Sequence, residues 1–297
     1  MISIIIPFYN EKENIPILIP ELSKALEFLG QPFEIVLVDD GSTDNYMNVV
    51  APILTDPRVK LEVLNRQMGK GKALEVGIEK SHGDIITFMD ADLQDDPGDL
   101  SLFLEKINNG YHFVNGHRFD RQDNLLIKVY SKTARWFLRK FLNSPFTDIN
   151  CGFKMFRREI LDNVVLYGNT FRFLPLAAFY EGFRVGEVVV HNKPRIHGKS
   201  KFGISKLFIG VIDMSSAFFL YKFSEKPLHF FGSIGAVFFG IGGIMLAWLT
   251  YDRIFMGALL YKRPALSYAT LFVILGIQII MTGILGELVV YLKRKKV

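Results

Sequence analysis

Ile85-Ile86-Thr87-Phe88-Met89-Asp90-Ala91-Asp92-Leu93-Gln94-Asp95-Asp96-Pro97 is the stretch on which the fold turns. Its first five residues form a short, nearly continuous apolar run, the pattern of a strand buried on both faces, and such strands belong to parallel sheets covered by helices. The run ends on two carboxylates one residue apart. Both can reach a hard divalent cation, and Gln94, Asp95, Asp96 and Asp99 crowd further acidic or amide groups into the same loop. A solvated acidic loop is the plain alternative, and mutual repulsion among so many carboxylates weighs against it.

Outward from this stretch the pattern repeats. Ser3 to Ile6, Glu34 to Val38, Val59 to Leu64 and His112 to Asn115 read as further strands. Helix-compatible segments fall at Asn14 to Leu29, Asp44 to Leu54, Ala73 to Lys80 and Asp99 to Asn109. Such alternation predicts an α/β domain with a mostly parallel, Rossmann-like sheet, in which ligands bind beyond the carboxyl ends of the strands. Those ends read Pro7-Phe8-Tyr9-Asn10-Glu11, Asp39-Asp40-Gly41-Ser42-Thr43-Asp44 and Asp90-Ala91-Asp92. Asp39 and Asp40 alone are equally good turn and N-cap residues. Asn65 to Ala73, NRQMGKGKA, precedes a helix with glycines and with Lys70 and Lys72, which can face phosphate, although the P-loop spacing is absent.

The other end of the chain belongs to lipid. Of 297 residues 49% are apolar, with mean hydropathy +0.23. Phe230 to Thr250 and Leu266 to Gly286 carry no charge and are long enough as helices to span about 30 Å of hydrocarbon. Two spans, about 230–250 and 266–290, form a hairpin. Lys222 and Lys226 before it and Lys293 to Lys296 after it predict both ends in the cytoplasm, against a loop with Asp252, Arg253, Lys262 and Arg263. Gly232, Ala236 and Gly240 lie at i, i+4, i+8, a stripe that admits a close helix, either the second span or another subunit. Residues 1–203 are expected as a cytosolic domain, 204–226 as an amphipathic helix along the membrane surface, and 227–297 as the hairpin with its basic tail. The formal charge of +5 comes almost wholly from that tail, so the body is not read as a nucleic-acid binder. Cys151 is the one cysteine, which excludes an internal disulfide and fits a reducing compartment. Ile2 to Ile6, broken by Pro7, reads as a strand and not as a signal peptide.

Seven ordered motifs now stand on the chain: Pro7-x-Tyr9-Asn10-Glu11, Val38-Asp39-Asp40-Gly41-Ser42, Asn65-x3-Gly69-Lys70-Gly71-x-Ala73, Asp90-Ala91-Asp92-Leu93-Gln94-Asp95-Asp96-Pro97, Gly116-His117-Arg118-Phe119, Asp148-x2-Cys151-Gly152-Phe153-Lys154 and Arg195-x2-Gly198-x-Ser200-Lys201. Together they resemble glycosyltransferase family 2, and within it the polyprenyl-phosphate glycosyltransferases of the dolichyl-phosphate mannose synthase and bactoprenol glucosyltransferase type. The resemblance implies a GT-A fold, a nucleotide-sugar donor and a divalent metal, Mg²⁺ or Mn²⁺. It implies that Pro7, Tyr9, Glu11, Val38 and Asp40 hold base and ribose, with Ala91 beside them, and that Asp90, Asp92 and Gln94 hold metal and diphosphate. Arg118 matches an arginine near the donor and acceptor phosphates, and Arg195, Ser200 and Lys201 match a late basic loop that closes over the site. Lys128 and Ser131 are the nearest match to an acceptor-phosphate pair, with Arg135 a rival. The Gln-x-x-Arg-Trp motif of polymer-building members is missing, since Arg135-Trp136 follows Lys132, so polymer synthesis is disfavoured. A family tendency towards homo-oligomers, tetramers among them, agrees with the small-residue stripe.

The expected reaction is inverting, metal-dependent transfer of one sugar, with UDP-glucose favoured and UDP-N-acetylhexosamine and GDP-mannose as further candidates, onto a polyprenyl phosphate at the bilayer. A phosphate monoester is mostly ionised at pH 7, its second pKa being about 6, so the attack needs little general base. It needs cations that cancel repulsion between phosphates, the part expected of Asp92-bound metal and of Arg118, Arg195 and Lys201 as catalytic residues. Two alternatives remain at this point. Transfer to a hydroxyl of a glycolipid or lipid-linked glycan would need a base, for which Asp148 is the candidate. A non-catalytic, nucleotide-binding membrane scaffold is the other.

Overall fold

Each apolar run read above as a strand forms one, all in a single sheet. The computed structural model describes residues 1–118, 133, 136, 138–164, 168–193, 215, 216, 218–220, 223, 226–257, 259 and 264–295. They fall into two compact units, Met1–Met214 and Ser215–Val297.

In the first unit β1 (Ile2–Phe8), β2 (Phe33–Asp39), β3 (Val59–Val63), β4 (Ile85–Phe88), β5 (Phe113–Arg118), β6 (Lys154–Arg157) and β7 (Val185–Val190) form one seven-stranded sheet in the order β3-β2-β1-β4-β6-β5-β7. β1 is parallel to β2 and β4, β2 to β3, and β5 to β7; β6 alone runs antiparallel, between β4 and β5. The period of two in β1 sorts its side chains. Ile2, Ile4, Ile6 and Phe8 face a cluster with Ile15, Leu18, Leu22 and Leu26 of α1 (Ile15–Phe28) and Phe103 and Ile107 of α4 (Leu100–Asn108). Ile5 faces the opposite cluster, with Ala73 and Leu74 of α3 (Lys70–Lys80) and Leu174 and Ala178 of α5 (Leu174–Tyr180).

Two helices differ from expectation. The segment expected as a helix over Asp44 to Leu54 is only α2 (Met47–Val50) followed by a 3-10 turn, Ile53–Thr55. Pro52 lies between them and has no N–H to continue an α-helix. α3 starts at Lys70, three residues before Ala73, because Gly69 at φ 93° turns the chain into it. β6, α5 and β7 were not expected. Most of the 204–226 segment, with Lys128, Ser131, Arg135, Arg195, Ser200 and Lys201, lies outside the described residues.

The second unit holds α6 (Pro227–Phe255) and α7 (Pro264–Lys295). Their mean hydropathies are 2.0 and 2.2, and only 11% of each apolar window is buried. Both are long and apolar enough to cross a membrane, and so little burial does not suit core helices of a water-soluble domain. Gly235, Gly242 and Leu249 of α6 are buried, as are Ala269, Gly276 and Gly283 of α7, each set on a seven-residue repeat. A Cβ at Gly235 would stand 2.7 Å from the Gly276 carbonyl oxygen, and one at Gly242 2.8 Å from that of Ala269. The small residues therefore let the backbones touch. The stripe of Gly232, Ala236 and Gly240 is not this seam: Gly240 meets nothing within 4 Å, and Gly232 meets only Leu228 of its own helix.

Candidate active site

Strand order places the carboxyl ends of β1, β2 and β4 side by side, with the tip of β5 and the start of β6 next to them. The first two ends are laced together. Asn10, at φ 57°, accepts from the Thr43 N–H at 2.8 Å and donates its own N–H to Ser42 Oγ at 2.9 Å. Asp39 is a turn acceptor: it takes the Ser42 N–H at 2.7 Å and the Tyr46 hydroxyl at 2.8 Å, and is buried. Asp40 accepts the backbone N–H groups of Met68 (2.6 Å) and Gly69 (3.0 Å), so it fixes the glycine-lysine turn ahead of α3. That turn sends Lys70 across the crevice, where its ammonium pairs with Asp90.

Asp90 is 37% exposed on its side chain and Lys70 32%, open enough for a ligand to reach both. Leu93 is buried at φ 60°, a left-handed turn that brings the Gln94 N–H back to Asp92 Oδ1 at 3.3 Å. The Gln94 amide donates to the Lys193 carbonyl at 3.4 Å. Asp95 is buried, and burial first, then the neighbouring Asp90 and Asp92 charges, push its carboxyl up against the pull of Arg118 and Lys70. That excess negative charge, borne by hard oxygen donors at one strand end, fits a divalent cation held by Asp90 and Asp92.

At the tip of β5 the Arg118 guanidinium grips Asp148 with two hydrogen bonds, Nε to Oδ2 at 2.8 Å and Nη2 to Oδ1 at 3.1 Å. Burial opposes the Arg118 charge, but Asp148 raises its pKa further still. Behind this fork lies a buried polar network. Lys154 Nζ donates to Asn115 Oδ1 (2.8 Å) and the Ile149 carbonyl (3.0 Å); Asn115 Nδ2 donates to the Asp148 carbonyl (2.8 Å); Glu187 Oε1 accepts the Thr147 and Asp148 N–H groups. Burial brings the Lys154 ammonium down to about 8. The same network seats Gly152 against Asp90: a Cβ there would stand 2.7 Å from Asp90 Oδ2. After β7, residues 191–193 fasten onto the acidic loop. The His191 N–H donates to Asp99 Oδ2 at 2.7 Å, the Lys193 N–H to the Gln94 carbonyl at 2.8 Å, and the Lys193 ammonium pairs with Asp96 at 3.0 Å. The chain then enters the basic segment with Arg195.

Of the residues singled out in the sequence, Pro7, Tyr9 and Glu11 follow β1 or end it, and Asp90, Ala91, Asp92 and Gln94 follow β4. Pro7 and Ala91 are buried, and Val38 is wholly buried among Ile5, Ala73 and Leu74, so its side chain is core and does not face a ligand. Lys70 was legible only as one of two lysines near phosphate. Lys154, Asn115 and Glu187 were not singled out for the site; a lone lysine inside the apolar run Phe153 to Phe156 was the available signal.

The sequence model of glycosyl transferase family 2 matches residues 3–165. The dodecaprenyl-phosphate galacturonate synthase of Rhizobium johnstonii is 31% identical over 97% of this chain and 87% of its own length. The undecaprenyl-phosphate 4-deoxy-4-formamido-L-arabinose transferase of Pectobacterium carotovorum is 31% identical over 96% and 87%. Among solved structures, glucosyl-3-phosphoglycerate synthase of Mycobacterium tuberculosis, in complex with Mn²⁺, UDP and phosphoglyceric acid, superposes with a TM-score of 0.58 at 18% identity, over 74% of this chain and 78% of that one. Mannosyl-3-phosphoglycerate synthase of Rubrobacter xylanophilus gives 0.57 at 17%, over 73% and 72%. These structures share the GT-A fold of the first unit.

Proposed function

The chain belongs to glycosyltransferase family 2, and on that premise we propose that it moves a single sugar from a nucleotide-sugar onto a polyprenyl phosphate, with inversion. One observation carries the acceptor. The likeness to the relatives named for polyprenyl phosphates runs over 96–97% of the chain, through the apolar hairpin, whereas that to the phosphoglycerate enzymes covers 74% or less. The hairpin is read as spanning a bilayer with both ends on the cytoplasmic side, and the open Gly232 stripe as available to a second copy.

Pro7, Tyr9, Glu11 and Asp40 frame the donor nucleoside, Asp40 through the turn it fixes. Asp90 and Asp92, with Gln94, would hold Mg²⁺ or Mn²⁺, which when bound neutralises charge on the leaving diphosphate. Arg118 keeps N–H groups beyond the two spent on Asp148 and turns them to phosphate. Asp148 accepts from Arg118 with both oxygens, an arrangement that favours a tied carboxylate over a base, in keeping with an acceptor that is already ionised. Lys128, Ser131, Arg195 and Lys201 complete the cationic surround. The donor is read as a UDP-sugar. Glucose, expected from the sequence, competes with galacturonate and 4-deoxy-4-formamido-L-arabinose, the sugars in the relatives' names.

The test is transfer from radiolabelled UDP- and GDP-sugars, these three included, to polyprenyl phosphate by purified protein with Mn²⁺ or Mg²⁺, beside Asp92→Ala. One donor should give a metal-dependent, mild-acid-labile lipid product that Asp92→Ala abolishes. Nucleotide release only with a hydroxyl-bearing glycolipid would overturn the acceptor.

A further inference from the structure

Lys70 and the metal have the same anchor. The Lys70 ammonium pairs with Asp90 Oδ1, and Gly152 lies on the Oδ2 side, where even a Cβ would stand 2.7 Å from that oxygen. A divalent cation on Asp90 would therefore share that carboxylate with the Lys70 ammonium. Two cations on one carboxylate repel, and in a part-buried crevice water screens them poorly.

We propose that Lys70 is a built-in counter-ion of the Asp90-x-Asp92 site, an internal competitor that the metal must displace and that the donor diphosphate then receives. Lys70 begins α3 beside Gly69, whose N–H is held by Asp40, so its flexible stem pivots from a fixed point. The Phe171 ring, 5.5 Å from Nζ, bounds the other side of its range. Displaced from Asp90, the ammonium can meet the diphosphate held by that metal when substrate is present. Metal alone then binds weakly, because it must break an ion pair. Metal and donor together bind well, because the released cation finds a new partner, and this is positive coupling between the two ligands. The inference rests on the reading of Asp90 and Asp92 as the metal site.

The experiment is Mn²⁺ binding by electron paramagnetic resonance to the full-length protein, without nucleotide and with UDP, in wild type, Lys70→Met, Lys70→Gln, Lys70→Arg and Asp92→Ala. The two neutral variants should bind Mn²⁺ alone roughly tenfold tighter than wild type, while UDP tightens Mn²⁺ less than it does in wild type. Lys70→Arg should stay near wild type. Neutral variants, both folded by thermal melt, that bind Mn²⁺ no tighter would overturn the proposal; should one fail to fold, the other decides. Retained Mn²⁺ binding in Asp92→Ala would instead overturn the metal site itself, so the two failures are told apart.

Discussion

At the tip of β5 one guanidinium engages both oxygens of one carboxylate, and that geometry separates two roles for Asp148. As a base it would take a proton from an acceptor hydroxyl; as a clamp it only aims Arg118. A missing general base costs about 10²–10⁴ in rate. Asp148→Asn keeps the shape and loses the charge, so transfer to polyprenyl phosphate should fall by only about tenfold, with the acidic limb of the pH-rate profile unmoved; a loss of general-base size would restore the hydroxyl-acceptor reading. Gly152 acts on the neighbouring carboxylate. A methyl group in its place would press on Asp90 Oδ2, so Gly152→Ala should weaken Mn²⁺ binding by roughly 10–100-fold, the usual cost of disturbing a ligand's support. Titration of Mn²⁺ into the folded variant checks this, and unchanged affinity would place Asp90 outside the metal site.

The opposite end of the sheet is held by a buried charge. Glu34, at the start of β2, accepts from Ser3 of β1 (2.7 Å), Lys60 of β3 (2.8 Å) and the His82 N–H ahead of β4, so one carboxylate ties four segments together. Burial pushes its pKa up, but these hydrogen bonds and the Lys60 charge outweigh it and leave the carboxyl at about 2. The folded pKa lies below the ordinary value, so the stabilisation is whole above about 4.5 and drains away as pH falls towards 2; fully expressed it is about 3 kcal/mol. Glu34→Gln should lower the melting temperature at pH 7 and flatten this acid limb, and an acid limb as steep as wild type would sink the assignment. Such cross-strand ties are also what the sequence conceals. β1 to β5 were legible because each is an apolar run bounded by turn residues. β6 and β7 were missed: one is four residues with a lysine and an arginine at its ends, the other holds Gly186 and Glu187, and both exist through long-range pairing such as Phe88 with Lys154 and Phe113 with Val185. The site divides in the same way. Its carboxylates could be read from strand ends, whereas the Lys70–Asp90 and Arg118–Asp148 pairs depend on which distant ends the sheet brings together. In the hairpin, hydropathy announced the helices but not the seam. A seven-residue repeat keeps one face together along the full length of two helices, which the i, i+4 stripe does not.

On the scale of the molecule, the two units answer to two solvents. Every residue of the two sheet clusters lies before residue 191, so the first unit builds its core without the hairpin. Only 11% of each apolar window of the hairpin is buried, a surface that suits lipid. If chemistry belongs to the first unit and delivery to the second, the two can be divided experimentally by the acceptor. A chain of residues 1–214 should bind UDP and Mn²⁺ as the full chain does, and should glycosylate a short, water-soluble prenyl phosphate at a similar rate. Towards long-chain polyprenyl phosphate in vesicles it should lose about 10²–10⁴ in apparent rate, since tethering to the bilayer supplies an effective concentration that free diffusion does not. Equal rates on the vesicle acceptor would show that the hairpin delivers nothing. Loss on both acceptors with nucleotide binding intact would place part of the acceptor site in the second unit, because no tethering effect touches a substrate that is already in solution.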